Sequence, residues 1–319
     1  MSPEPPGETT SWSAELELVG AGGEAVDLWR TINSHGLVEL PPMRIDEEAR
    51  ALELTLARAA GRPRTVEVSE ARPGRAVVRA RGSRPAEKRV AEILAGVAHV
   101  LRLDEDLSGF YALAASDPDL AWAASGAGRM IRSATAFEDV VKTICTTNCT
   151  WSATKRMVGA LVEHLGERAP SSPEPGPLGR AFPTPEAMAE ASEDFYRDVV
   201  RAGYRGRYLR TLAADVAEGA VDLEELGRTG PDELPDDEVA ARLLALPGVG
   251  PYAAAHVMMM LGRYSRLILD SWTRPKYARL TGRRAVEDAA IERRFRRYGR
   301  YAGLAFWLYL TRDWVSEPG

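Results

Sequence analysis

The stretch that most constrains this chain runs from Leu246 to Asp270, LPGVGPYAAAHVMMMLGRYSRLILD. An apolar run with Leu243, Leu244 and Leu246 ends in Pro247-Gly248-Val249-Gly250, and a second apolar segment starts at Pro251. Two glycines flanking a valine can take the positive φ angles of a tight turn, and a proline at the first helical position gives up no hydrogen bond. The pattern predicts helix, GVG hairpin, helix, with the free N–H groups of the second helix beside two residues that lack side chains. Such a helix start is an anion site, so Gly248, Val249 and Gly250 are candidate phosphate contacts. Glycine-turned helical hairpins are also common core pieces with no ligand.

Twenty residues after Gly250, a mainly apolar run from Tyr264 to Leu269 ends in a lone carboxylate, Asp270. Ser271-Trp272-Thr273 then reads as the start of another helix. Asp270 is either its N-cap or a functional carboxylate kept ionised by the helix dipole.

The 319 residues suit two or three modest domains, and 45% hydrophobic with 27% charged residues is a globular composition. Cys145 and Cys149 are the two cysteines, which argues against a disulfide framework and for a reducing compartment. An iron–sulfur cluster needs four ligands, so none is expected. The four histidines, His35, His99, His164 and His256, form no metal-ligand spacing and read as packed or surface residues. No signal peptide or membrane-length apolar run is evident, so a cytoplasmic protein with no membrane partner is expected. The formal net charge is −5, yet residues 271–300 hold ten Lys or Arg against three Asp or Glu. That stretch is either an anion-binding footprint or a solvated helix face.

Taken in order, the chain predicts an α+β protein. Residues 1–11 read as a disordered tail and 12–105 as an antiparallel β-sheet plus helix domain. In that domain AELELVG, AVDLWRTI, GLVEL, ALELTLA, TVEVSEA and RAVVRARG read as β-type runs, followed by a helix over 84–101. Residues 106–319 read as an all-helical body of two subdomains, with the hairpin at 239–262 and a surface linker at 167–185. Thr146 to Thr150 is a polar break between two amphipathic helices. Ala202 to Tyr208 places Tyr204 in a turn among glycines and arginines, either for base stacking or for packing on a neighbouring helix.

LPGVGPYAAAHV followed by LILDSW resembles the helix-hairpin-helix plus Gly/Pro…Asp signature of the DNA glycosylase superfamily. ICTTNCTWSATKRMVGALVEHLG, FPTPEAMAE, AGYRGRYLRTLA and YAGLAFWLYL follow with the order and spacing of the 3-methyladenine and 8-oxoguanine branch, over roughly residues 137–310.

The resemblance implies a set of roles. Asp270 falls on the catalytic aspartate, which would stabilise an oxocarbenium-like sugar and orient water. Tyr252 stands where bifunctional members carry a lysine nucleophile, which implies a monofunctional enzyme; Lys276, off the motif, would meet phosphate instead. Asn148 matches the wedge that fills the hole left by an extruded base, and Tyr204 the aromatic that opens the opposite strand. Arg205, Arg274 and Lys276 join the expected DNA contacts, the partner being damaged double-stranded DNA bound by a monomer. The carbonyls of Leu244, Leu246 and Val249 match a structural cation site, and no other cofactor is implied. Phe306 and Leu310 replace the glutamine and phenylalanine that read 8-oxoguanine, so with Tyr252, Trp272 and Trp307 they predict an aromatic pocket without amide readers. Such a pocket favours cationic alkylated purines through cation–π attraction of ~0.5 to 2 kcal/mol. The alternatives are an 8-oxoguanine glycosylase and a non-catalytic lesion-sensing DNA-binding protein.

Overall fold

The computed structural model describes residues 11–57, 61–170, 172 and 175–315. The expected tail lies outside these residues except for Ser11, which opens the first strand. Five strands, β1 (Ser11–Glu17), β2 (Met43–Asp46), β3 (Ala51–Leu56), β4 (Arg64–Arg72) and β5 (Arg75–Arg81), form one antiparallel sheet in the order β1-β5-β4-β3-β2. Its register sets Val66 opposite Leu54 and Ala80, and Val68 opposite Leu52 and Val78, so one face is apolar and buried. The other face carries Glu53, Glu67 and Arg79.

Thirteen α-helices occur among the described residues. Within the sheet domain lie α1 (Leu28–Ile32) and α2 (Glu87–Val100). The body contains α3 (Ser108–Ala115), α4 (Ala136–Thr146), α5 (Trp151–Leu165), α6 (Pro185–Glu190), α7 (Arg205–Ala217), α8 (Leu223–Arg228) and α9 (Asp236–Leu244). It continues through α10 (Pro251–Met260), α11 (Thr273–Leu280), α12 (Asp288–Phe295) and α13 (Ala302–Thr311).

Two β-type readings in the first domain give way to helix. AVDLWRTI contains α1 because Asp27 caps it, its Oδ1 accepting from Arg30 N–H at 2.9 Å. GLVEL forms a single 3₁₀ turn at Gly36–Glu39, and the four-residue β2 takes the place next to β3.

Three apolar clusters hold the molecule together. One joins the sheet to α1 and α2. A second is built from α4 to α10, and a third from α3 and α11 to α13 with Ala255 and Met259 of α10. Helix α10 therefore belongs to both helical clusters, and every residue from Ala253 to Met260 is buried. Helix α4, amphipathic in sequence, is likewise buried on its polar side. There Lys142 Nζ pairs with Glu138 Oε1 at 2.6 Å, and Asp139 accepts from Ser133 N–H. Burial raises the Asp139 carboxyl to about 7.

The sheet domain is tied to the body by a buried ion pair. Arg129, fully buried, donates to Glu24 Oε1 and, through Nη1, to the Glu105 carbonyl at 2.9 Å. The same Glu24 oxygen accepts from Leu107 N–H at 2.7 Å. Removing one partner strands a buried charge, so Arg129→Met should cost about 3–5 kcal/mol in urea denaturation. Glu24→Leu added to Arg129→Met should recover most of that loss. Equal stability of the single variant and the wild type would show that the pair contributes nothing.

Candidate active site

The hairpin has the form the sequence predicts, with one difference. Gly248 has φ +82°, the left-handed conformation that glycine tolerates. Gly250 is extended, at φ −99° and ψ −177°, and caps α10, with Pro251 in its first turn. Only one of the two glycines is therefore needed for the turn. At Gly250 nothing lies within 4 Å of where a Cβ would stand, so its backbone is open to a partner. The Leu246 carbonyl accepts from Val249 N–H at 3.2 Å, whereas those of Leu244 and Val249 accept no backbone N–H among the described residues.

Asp270 is held at the approach to α11 by a reciprocal set of bonds. Its Oδ1 accepts from Trp272 N–H at 2.8 Å and from Thr273 N–H at 2.7 Å, while its own N–H donates to Thr273 Oγ1 at 2.8 Å. The N-cap reading and the functional reading are thus compatible, because Oδ2 meets no hydrogen-bond donor among the described residues. Burial, and secondarily the Asp270 charge, raise the Tyr252 phenol above its ordinary value.

From Tyr252 a chain of contacts runs to the other predicted positions. Its hydroxyl lies 3.5 Å from Thr146 Oγ1, at the end of α4. Asn148, exposed and at φ +46°, tops the following loop and donates from Nδ2 to the Tyr204 hydroxyl at 3.3 Å. Tyr204 is 54% exposed, which suits a surface contact, and its ring packs edge-on against Tyr208 at 5.9 Å. Tyr208 in turn backs the hairpin, since its Cδ2 lies 2.8 Å from where a Gly248 Cβ would stand. Asn148, Tyr204, Tyr208 and the hairpin are thus linked by direct contacts, and Tyr252 meets Thr146 two residues before Asn148.

Two of the residues expected in an aromatic pocket pack together. Trp272, Trp307 and Trp314 form a trio with centroids 5.5–5.7 Å apart, Trp272 and Trp314 being exposed and Trp307 buried. Trp307 Nε1 donates to the Ser34 carbonyl at 2.7 Å, which anchors it to the N-terminal domain. Phe306 and Leu310 are corrections. Both have no exposed surface and sit in the third cluster, where Phe306 packs on Phe295 at 5.2 Å and Tyr277 at 6.0 Å. Helix α13 is buried all round, so its two faces are equally apolar and the sequence could not say which one lines the site.

Three basic residues also depart from expectation. Arg205 is buried and donates to the Thr147 carbonyl and hydroxyl, so it braces the Asn148 loop from within. Arg274 forms a bidentate pair with Asp288, at 2.7 and 2.8 Å. Lys276 Nζ lies 2.5 Å from Asp313. Arg294 and Arg297 pair with Asp119 and Asp117. Of the basic stretch, Arg279, Arg283, Arg284, Arg293, Arg296 and Arg300 remain exposed without an acidic partner among the described residues, Arg300 donating to the Tyr301 hydroxyl.

The sequence also gave no sign of a histidine pair behind the site. His256 packs on Tyr252 and Trp307, and His35 approaches it edge-on at 6.1 Å. Burial lowers His256 to about 4, while burial and then the His256 charge lower His35 to about 3. The available signal was the single polar residue in AAAHVMMM, one turn after Tyr252.

Among solved structures, the chain is similar to MBOgg1 in complex with a low affinity DNA ligand. The TM-score is 0.70 at 19% identity, over 95% of this chain and 96% of that one. It is similar to the 3-methyladenine DNA glycosylase from Archaeoglobus fulgidus, with TM-score 0.69 and 21% identity over 95% and 100% of the two chains. The apo-form 8-oxoguanine glycosylase/lyase from Clostridium acetobutylicum matches with TM-score 0.69 and 20% identity, over 95% and 97%. No family model and no curated protein matches the sequence. The chain shares the fold of these solved structures, sheet domain included.

Gly248→Ala should destabilise the hairpin by about 1–3 kcal/mol, since it combines a positive φ with a clash against Tyr208. Thermal denaturation checks this. An unchanged midpoint would mean that the turn relaxes without cost.

Proposed function

We propose that this protein is a monofunctional DNA glycosylase that extrudes a damaged base, preferably an alkylated purine, and hydrolyses its N-glycosidic bond. The observation that carries the reading is the placement of Asp270. One oxygen of this carboxylate is fixed by two backbone N–H groups at the approach to α11, and its charge acts on Tyr252 in the first turn after the hairpin. The likeness to solved glycosylases over nearly the whole chain supports it.

The chemistry follows from the geometry. Asn148 and Tyr204 are exposed polar and aromatic tips suited to filling the stack and separating the strands while a nucleotide turns out. The open backbone at Gly250 and the start of α10 hold a phosphate, with a cation at the Leu244, Leu246 and Val249 carbonyls as a bridge. As the glycosidic bond breaks, positive charge grows on the sugar, and Oδ2 of Asp270 stabilises it and orients the attacking water. Tyr252 has no amine, and its raised phenol stays protonated, so hydrolysis ends at an abasic site. Lys276, engaged with Asp313, is in no position to replace it.

The preference for alkylated purines rests on Trp272, Trp307 and Tyr252. Their electron-rich faces attract a cationic base, whose glycosidic bond is also already weakened. Phe306 and Leu310 are withdrawn to the core. An 8-oxoguanine specificity is the second reading, favoured by the similarity to the 8-oxoguanine glycosylase/lyase.

Asp270→Asn keeps the size and much of the capping geometry and loses the charge. It should cut single-turnover excision by several orders of magnitude while leaving DNA affinity nearly intact. Excision within tenfold of wild type would remove Asp270 from the mechanism. Borohydride should trap no protein–DNA adduct, and strand breaks should appear only after alkali. A trapped adduct would contradict hydrolysis by water, and its disappearance in Lys276→Ala would identify the amine responsible.

A further inference from the structure

Between Ala253 and Met260, a span with no solvent-facing residue, His256 is the one polar side chain. Both of its ring nitrogens are buried and meet no hydrogen-bonding protein group among the described residues. A leucine or methionine, as elsewhere on this helix, would avoid the penalty of unpaired buried polar atoms. Residues four apart share a helix face, so His256 stands over Tyr252, with ring centroids 5.7 Å apart. Its neighbour across the gap to α13 is Trp307, at 6.2 Å, the buried member of the tryptophan trio. Trp272, the exposed member nearest Asp270, adjoins Trp307. The imidazole thus lies beneath Tyr252 and Trp307, and Trp307 in turn packs on Trp272, two residues after the proposed catalytic carboxylate.

His35 supports it from the N-terminal domain. Its Nε2 lies 2.6 Å from the Ile131 carbonyl and must carry the proton, which leaves a buried lone pair on Nδ1. The polar end of the group is therefore made by two domains, with Trp307 tied to Ser34 beside His35.

We infer that His256 is the group that hydrogen-bonds the edge of the extruded purine, stacked among Tyr252, Trp272 and Trp307. This rests on the glycosylase reading and supplies its missing polar contact. A neutral imidazole offers one donor and one acceptor and exchanges them by changing tautomer. It therefore accepts an exocyclic amine or a carbonyl, so adenine-type and guanine-type alkylated purines both fit. Burial keeps the ring uncharged at neutral pH, so it does not repel a cationic base.

The test compares wild type, His256→Leu and His256→Gln on dimethyl-sulfate-treated duplex DNA. Release of 3-methyladenine and 7-methylguanine is followed by chromatography, and binding is measured to a duplex with a tetrahydrofuran abasic analogue. His256→Leu should slow release of both bases about tenfold or more, with analogue affinity within threefold and a thermal midpoint equal or higher. His256→Gln, which keeps a donor and an acceptor, should recover part of the rate. Release by His256→Leu within threefold of wild type would overturn the assignment. So would a parallel loss of analogue affinity, which marks a structural role. If wild type ignores methylated purines but excises another base, the substrate reading fails alone, and the same comparison on that base decides for His256. A wild type that releases no base overturns both.

Discussion

Helix α10 has no solvent face, and the body is arranged around that fact. A helix apolar all round must be covered on all sides. Ala253, Ala254, Val257 and Met258 pack into one helical cluster, and Ala255 and Met259 into the other. Both clusters therefore fix the position of its N-terminus, where Gly250 leaves the backbone open and Tyr252 feels the charge of Asp270. A site assembled from residues far apart in sequence gets its geometry from this one shared rod.

Charge is used differently from what a count along the chain suggests. Arg274, Lys276, Arg294 and Arg297 are engaged with carboxylates, and Arg205 with the Thr147 loop. These groups stiffen the frame around the site. The remaining exposed arginines have no acidic partner among the described residues, and any attraction they exert on an anion weakens with salt.

The hairpin and the sheet-then-helix order were legible because glycine, proline and period-two alternation act locally. The Asp270 cap was legible for the same reason, since its partners Trp272 and Thr273 lie within three residues. The partners of Arg274 and Lys276 were not, because Asp288 and Asp313 lie 14 and 37 residues away and only the fold brings them near. Phe306 and Leu310 were misplaced because α13 is apolar on every side, so periodicity cannot choose the face that lines the site. AVDLWRTI read as a strand until the Asp27 cap and tertiary packing settled it as α1. His256 was passed over because a lone histidine in an apolar helix is usually a packed one, and its unpaired nitrogens appear only in three dimensions.

The account turns on a carboxylate acting on a cationic sugar below an aromatic pocket with no lysine nucleophile. The most direct measurement is single-turnover excision from a panel of duplexes, each carrying one lesion, at one salt concentration, with and without alkali. The account predicts that a methylated purine is released fastest, with strand cleavage only after alkali. Fastest release of 8-oxoguanine opposite cytosine, with methylated purines untouched and strands cut without alkali, would contradict it.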